Sequence, residues 1–83
     1  MNQALPFDPE KLRTTEMGAE RIRRNLALSD ETDPVIFCRE LVMSEKCRIT
    51  RRGKNFYCET DGVRVTVNAA SFTIITAHRI KEK

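Results

Sequence analysis

Residues 47–80, CRITRRGKNFYCETDGVRVTVNAASFTIITAHRI, carry nearly all of the strand signal in this chain of 83 residues. Apolar and polar side chains alternate through most of the stretch, as they do in a strand with one buried face. Gly53 and the pair Asp61-Gly62 interrupt the alternation with residues that favour hairpin turns. The pattern predicts four antiparallel strands, over residues 47–51, 55–60, 63–68 and 72–80.

Because side chains alternate along a strand, the strand residues divide between two faces of the sheet. We expect an apolar core face made of Cys47, Ile49, Phe56, Cys58, Val63, Val65 and Val67. The opposite face is expected to be polar and open, with Arg48, Thr50, Arg52, Asn55, Tyr57, Glu59, Arg64, Thr66 and Asn68.

The last strand allows two registers, because Ile74 and Ile75 are adjacent and cannot both point inward in a regular strand. If Phe72 and Ile74 face the core, His78 is buried unless a bulge intervenes. If Ile75 and Ala77 face the core, His78 and Thr76 lie on the open face. We favour the second register because it keeps the imidazole out of the core.

Two helices are predicted before the sheet. The first covers about residues 15–26, with Thr14 or Thr15 as N-cap, and its apolar stripe is formed by Met17, Ile22 and Leu26. The second begins at Asp33-Pro34, a strong helix start, and runs to about residue 45. Its broad apolar surface predicts packing against the sheet and the first helix, with Phe37, Cys38 and Met43 as core candidates.

These elements predict one α+β domain in which two N-terminal helices pack on one face of a four-stranded antiparallel sheet, in the order α-α-β-β-β-β. Residues 1–13 are interpreted as an N-terminal arm with a turn of helix over residues 9–13, residues 14–80 as the domain, and residues 81–83 as a tail. A chain of this length is near the lower limit for a self-sufficient core. A homodimer or a bound partner is therefore an expected source of further stability.

The net charge of +3 is distributed unevenly. Residues 1–45 carry six Lys/Arg and nine Asp/Glu, which gives −3, whereas residues 46–83 carry nine and three, which gives +6. A basic sheet beside an acidic helical half favours an anionic ligand at the sheet, with nucleic acid first. The alternative is a solvated basic surface that only aids solubility.

The chain has no apolar run of about 18 residues that would predict a membrane span. Its first residues lack the basic and apolar regions of a signal peptide, so we expect a cytoplasmic protein without membrane partners. The chain has three cysteines, Cys38, Cys47 and Cys58. They fit this expectation because, in an oxidising compartment, an odd number would leave one thiol without a disulfide partner. Their spacing matches no zinc pattern, and we expect buried free thiols, no metal and no cofactor.

Cleavage of RNA without a metal requires a general base, a general acid and a cation beside the phosphate. Histidine is the side chain most often used for proton transfer near neutral pH, so His78 is the first candidate. Lys54, Tyr57 or Glu59 could be its partner, and an arginine could supply the cation. The predicted catalytic residues are Lys54, Tyr57, Arg64, Thr76 and His78. The residues predicted to contact nucleic acid are Arg48, Arg51, Arg52, Lys54, Asn55, Asn68 and Arg79.

Three phrases, GAERIRRNLALS, RRGKNFYCE and VTVNAASFTIITAHRI, resemble a family of small uncharacterised bacterial proteins with a domain of unknown function. The resemblance covers roughly residues 15–80 and rests on a GKNWY-type strand and an ITVNA-x-S-x-TIITAH ending. This chain has Phe56 where that family is expected to have tryptophan. The order of elements is also similar to that of the superfamily of barnase, EndoU, colicin and RelE-type ribonucleases, which implies a metal-independent nuclease site on the exposed sheet face.

We therefore hypothesise a small RNA-directed protein, a metal-independent ribonuclease or toxin-like domain whose partners are RNA and a protein inhibitor. The alternative is a non-catalytic module that binds nucleic acid or protein with the same face. A winged helix-turn-helix ranks last, because the second helix is too apolar and too acidic to read DNA bases. A nuclease would gather His78 and at least two of Arg52, Lys54, Tyr57 and Arg64 in one concavity.

Overall fold

The computed structural model describes residues 5–80 of the chain. A 3-10 helix, Pro9–Lys11, precedes two α-helices and four strands. The helices are α1 (Glu16–Leu26) and α2 (Pro34–Met43). The strands are β1 (Arg48–Arg52), β2 (Asn55–Thr60), β3 (Val63–Asn68) and β4 (Ile74–Arg79), and they form one antiparallel sheet in chain order. The predicted α+β class and element order are confirmed, and residues 81–83 lie outside the described range.

Both helices begin at the predicted caps. The Thr15 hydroxyl accepts a hydrogen bond from the Gly18 amide at 3.0 Å, and the Asp33 carboxylate accepts from the Val35 amide at 2.8 Å. These bonds satisfy amides that the first turn of a helix leaves without partners. Pro34 occupies the first turn of α2, where its missing N–H costs nothing.

The two hairpin turns adopt the backbone that their residues favour. Gly53 has φ +60° in the two-residue turn between β1 and β2. Asp61 and Gly62 both have positive φ, 54° and 74°, between β2 and β3. Positive φ at these positions matches the turn to the right-handed twist of the strands, and this fixes the register of both hairpins.

A β-bulge in β4 resolves the ambiguity of the two isoleucines. The pairing of β3 with β4 shifts between Thr66 and Val67, so that Val65 pairs with Ala77 but Val67 pairs with Ile74. Ile74 and Ala77 are therefore both buried, while Ile75 is 40% exposed. The prediction that Ile75 points inward was wrong, because an inserted residue changes the alternation. The prediction that Thr76 and His78 avoid the core is confirmed.

The helices cover the apolar face of the sheet, with α1 against β4 and α2 against β2. The buried core includes Ile22 and Leu26 of α1, Cys38 and Val42 of α2, and alternate residues of the strands. Met17, which was assigned to the apolar stripe of the first helix, and Met43, which was predicted as a core candidate, are 72% and 55% exposed. Both methionines lie outside the part of the helix surface that packs on the core, so they face solvent.

The segment before α1 contributes to the core. Phe7 and Leu12 are buried, and the Phe7 ring lies 5.0 Å from the Phe56 ring. The single helical turn that the sequence indicated near Pro9 is present as the 3-10 helix, capped by the Asp8 side chain. Residues assigned from the sequence to an arm thus complete the hydrophobic cluster. No helix within residues 5–80 is long and apolar enough to cross a membrane.

Candidate functional site

The sheet surface opposite the helices, here called the open face, presents its polar side chains in rows that cross the strands. One row consists of Arg48, Glu59, Arg64 and His78, each directly paired with the next in register. The adjacent row consists of Thr50, Tyr57, Thr66 and Thr76. A third row adds Arg52, Asn55 and Asn68. Neighbouring strands are about 4.8 Å apart, so each four-strand row spans roughly 14 Å.

A concavity of about 400 Å³ lies on the open face. Its lining consists of Thr50, Arg52, Tyr57, Glu59 and Arg64. The concavity therefore combines two guanidinium groups, a carboxylate, a phenol and a hydroxyl on three neighbouring strands. This set of donors suits an anionic ligand that also carries a flat ring.

Glu59 and Arg64 form an ion pair across β2 and β3. Arg64 Nε donates to Glu59 Oε2 at 2.8 Å. The Arg64 side chain is 39% exposed and that of Glu59 33%. Solvent therefore screens the attraction, and the pair adds at most about 1 kcal/mol to stability. Its main effect at the site is to hold the guanidinium in one orientation and to offset part of its charge.

Four of the five predicted catalytic residues lie on the open face. Arg64 and His78 are directly opposite each other on β3 and β4. Thr76 follows in the next row, which also contains Tyr57. Lys54 is exposed in the turn between β1 and β2, and its carbonyl accepts a hydrogen bond from the Ala69 amide at 2.8 Å.

The concavity gathers only part of the predicted nuclease site. Arg52, Tyr57 and Arg64 line it, but His78 and Lys54 are not among the lining residues. The histidine lies one strand beyond Arg64. The arrangement expected of a nuclease, with His78 in the same concavity as two of its partners, is therefore absent from this concavity.

Five of the seven residues predicted to contact nucleic acid divide between the two faces of the sheet. Arg48, Arg52 and Asn55 lie on the open face, whereas Arg51 and Arg79 occupy core-face positions opposite Phe56 and Val63. The Arg51 guanidinium lies 5.6 Å from the centre of the Phe56 ring, and its Nε donates to the Gly53 carbonyl at 3.2 Å. Arg51 and Arg79 thus lie on the helix side of the sheet, away from the concavity.

Asn68 is used by the turn that follows β3. Its side-chain oxygen accepts hydrogen bonds from the Ala70 and Ser71 amides at 2.8 and 2.9 Å. These bonds fix the turn and leave the carboxamide fewer groups for a ligand. Asn55 remains beside the concavity, where its amide donates to the Tyr57 hydroxyl at 3.5 Å.

Thr50 and Glu59 line the concavity as well. Glu59 was predicted only as a possible partner of His78, and Thr50 was assigned to the open face without a role. The alternation of the strands placed both on the open face, and the hairpin turns fixed which residues lie opposite each other. Combining the two signals would have placed Glu59 beside Arg64, because the two residues are equidistant from the Asp61-Gly62 turn.

The three cysteines are free and buried, as predicted. Burial raises the pKa of the Cys38 thiol to about 12. A hydrogen bond with Cys58 lowers the pKa of Cys47, and the same bond together with burial raises the pKa of Cys58. No cluster of three or more His, Cys, Asp or Glu residues within residues 5–80 could hold a metal ion.

Comparisons with curated proteins and with solved structures found no match. They give no evidence for the architectural resemblance to ribonucleases. A family model described as protein of unknown function matches residues 8–78, which confirms the resemblance to an uncharacterised domain. The chain therefore belongs to the family of unknown function DUF3781.

Proposed function

We propose that the open face binds single-stranded RNA, with the concavity around Tyr57 as its centre. The observation that carries this proposal is the joint presence of two arginines and one half-buried tyrosine in that concavity. Single-stranded RNA is bound by proteins through cationic contacts to phosphates and aromatic stacking on unpaired bases. An uncovered sheet offers both kinds of contact on a rigid surface.

The charge of the open face supports a phosphate ligand. The three rows contain three arginines, Arg48, Arg52 and Arg64, and one carboxylate, Glu59. Their formal charge is therefore +2 with His78 neutral. Arg48 and Arg52 are exposed near opposite ends of β1. Four residues of a strand span about 13 Å, so the two arginines reach different phosphates of one extended strand.

Tyr57 is placed to bind a base. It is the central aromatic residue of the open face, and Thr50 and Thr66 flank it on the neighbouring strands. Stacking of a base on an aromatic side chain contributes about 1–3 kcal/mol and tolerates any base. The proposal therefore predicts affinity for unpaired RNA with modest sequence preference.

Binding is tested by fluorescence anisotropy with labelled single-stranded RNA of mixed sequence, at several salt concentrations. Tyr57→Ala should weaken binding about tenfold or more, in line with the loss of one stacked base. Arg64→Ala should weaken binding and reduce the salt slope by about 0.7, the value for one phosphate contact of a single strand. Arg21→Ala, on the exposed surface of α1, is the matched control and should leave both quantities unchanged.

Equal losses in the Arg21 and Arg64 variants would show that only net charge matters and would contradict a defined site. Absence of binding by a protein with an intact circular dichroism spectrum would contradict the proposal altogether. Circular dichroism of each variant separates loss of the site from loss of the fold.

Cleavage of the bound RNA is a second candidate function, favoured by the pairing of His78 with Arg64 on the open face. In such a reaction His78 would transfer a proton and Arg64 would stabilise the charge on phosphate. The test is degradation of RNA in EDTA by the wild type and by His78→Ala. EDTA-resistant cleavage that His78→Ala abolishes would support the reaction. Binding without cleavage would contradict it and keep RNA binding as the proposed function.

A further inference from the structure

The two edges of the sheet differ in how they are protected. The start of β4 is covered by the segment before α1, because the Ile74 amide donates to the Arg13 carbonyl at 2.6 Å. The Arg13 amide donates to the Phe72 carbonyl at 3.2 Å, and the Thr14 hydroxyl donates to the Ile74 carbonyl at 3.0 Å. The β1 strand pairs with β2 on one side, and no other segment within residues 5–80 forms a strand along its outer side.

The backbone groups that β1 directs outward are those of Ile49 and Arg51. A two-residue turn makes Arg52 and Asn55 the first hydrogen-bonded pair of the hairpin. Bonded and non-bonded pairs then alternate along an antiparallel ladder, so Thr50 and Arg48 also bond to β2. The N–H and C=O groups of Ile49 and Arg51 point away from β2 and form no backbone hydrogen bond with other described residues.

The side chains of β1 oppose pairing with a second copy of the same strand. Antiparallel pairing centred on Thr50 would place Arg48 of each copy directly opposite Arg52 of the other. Like charges in directly opposed positions destabilise a strand pair, and positive side chains on an edge strand prevent such association. This arrangement argues against a homodimer through β1 in that register.

The same side chains complement an acidic strand. β1 carries Arg48, Arg51 and Arg52 and no acidic residue. Ile49 is half-buried on the core side of the strand, where an added apolar side chain would cover it. An antiparallel strand would meet this edge with acidic residues opposite the three arginines and an apolar residue opposite Ile49.

We propose that the outer edge of β1 binds an extended acidic segment of a protein partner as a fifth strand of the sheet. The backbone groups of Ile49 and Arg51 supply the hydrogen bonds, and the arginines select the sequence. Strand addition of this kind takes its affinity from the main chain and its specificity from alternate side chains. The inference does not require RNA binding, because the hydrogen bonds lie along the strand edge, although Arg48 and Arg52 also belong to the surface proposed to bind RNA.

The probe is the capped peptide Glu-Glu-Thr-Val-Glu, whose antiparallel register places its acids opposite Arg52, Arg51 and Arg48 and its valine opposite Ile49. Titration into isotope-labelled protein, without RNA, is followed by amide chemical shifts. The largest shifts are expected at Ile49 and Arg51, and the exchange of these two amides with solvent should slow. The peptide Lys-Lys-Thr-Val-Lys should bind at least about tenfold more weakly.

Two controls separate strand addition from simple attraction of charges. The acidic peptide with N-methylvaline keeps every charge but lacks the N–H that would donate to the Ile49 carbonyl, and its methyl group obstructs the approach of the two strands. It should therefore bind at least about tenfold more weakly. The protein variant Arg48→Glu/Arg52→Glu, changed at two exposed positions, should prefer the lysine peptide. Equal binding of the N-methylated and unmodified peptides would overturn the proposal, as would shifts confined to other parts of the protein.

Discussion

Arg64 and Glu59 are held together across β2 and β3 by a hydrogen bond of 2.8 Å, and both side chains line the concavity of the open face. In the proposed RNA complex, the carboxylate would compete with a phosphate for the guanidinium. Glu59→Gln should therefore strengthen RNA binding about two- to fivefold, because it removes the one negative charge of the rows while keeping an oxygen that can accept the bond. Anisotropy at low salt measures the change.

The gain in the Glu59→Gln variant should shrink as salt is added, since screening reduces every interaction between exposed charges. Glu20→Gln, on the exposed surface of α1, removes the same charge away from the sheet and should have little effect. Weaker binding by Glu59→Gln would contradict the prediction and would instead make Glu59 a group that orients Arg64 for the ligand.

Gly18→Ala is expected to lower the free energy of unfolding, although alanine is the better helix former. A Cβ atom at this position would collide with the Thr14 hydroxyl oxygen, which is held by its hydrogen bond to the Ile74 carbonyl. The gain in helix propensity is about 1 kcal/mol, whereas overpacking costs about 1–3 kcal/mol. Urea denaturation should show a net loss of roughly 1 kcal/mol.

The double variant Gly18→Ala/Thr14→Ala tests the cause of that loss. Removing the Thr14 hydroxyl makes room for the new methyl group, so the alanine at position 18 should cost less in this background. Additive effects of the two substitutions would mean that the collision does not determine the stability.

The Thr60→Val variant is expected to be at least as stable as the wild type, with a free energy of unfolding that is higher by up to about 1 kcal/mol. The Thr60 side chain is 8% exposed, and its hydroxyl has no hydrogen-bond partner within the described part of the chain. Valine fills the same space without a buried polar group. Thr50→Val, on the exposed edge strand, should change stability by less than about 0.5 kcal/mol, and a large loss in Thr60→Val would contradict the prediction.

The stability of the reduced protein should fall as the pH rises above about 9. Burial raises the pKa of Cys38 from 9.0 to about 12, so in this interval the unfolded chain loses a proton that the folded chain keeps. The free energy of unfolding then falls by up to about 1.4 kcal/mol per pH unit. The raised pKa of Cys58 acts in the same direction, and the lowered pKa of Cys47 acts against it.

Cys38→Ala isolates the contribution of that thiol. The variant is expected to be less stable at neutral pH because it leaves a cavity, but its stability should fall less steeply between pH 9 and pH 11. Denaturation curves at a series of pH values give both slopes. Identical slopes for the two proteins would show that Cys38 does not ionise differently on unfolding.

The parts of the fold that the sequence predicted correctly depend on local signals. The Asp33 and Thr15 caps, the Gly53 and Asp61-Gly62 turns and the period-two alternation each act within a few residues. They were sufficient to predict the helix starts, the two hairpins and the open face. The location of the exposed methionines was missed, because the width of the buried stripe depends on how each helix sits on the sheet.

The bulge in β4 and the burial of Phe7 could not be predicted from local pattern. Both Ile74 and Ala77 are buried because β4 has one extra residue, Ile75, that has no partner in β3. The sequence FTIITAHRI contains no signal that gives the position of this bulge. Phe7 is buried because Phe56 and Phe72 lie beside it in space. In the candidate site, the sequence left two registers for His78 and only favoured the open face. Its position one strand beyond Arg64 and outside the concavity depends on the three-dimensional arrangement of the strands.

The packing of α1 against β4 has a consequence for the order in which the chain can fold. The three hairpins of the sheet connect neighbouring strands and form from contacts close in sequence, which favours rapid formation. The buried face of α1 finds most of its contacts in β4, about fifty residues later, and fewer in α2. During synthesis, the side of α1 that packs on β4 therefore stays uncovered until β4 has emerged from the ribosome, and interactions with chaperones are expected at this stage.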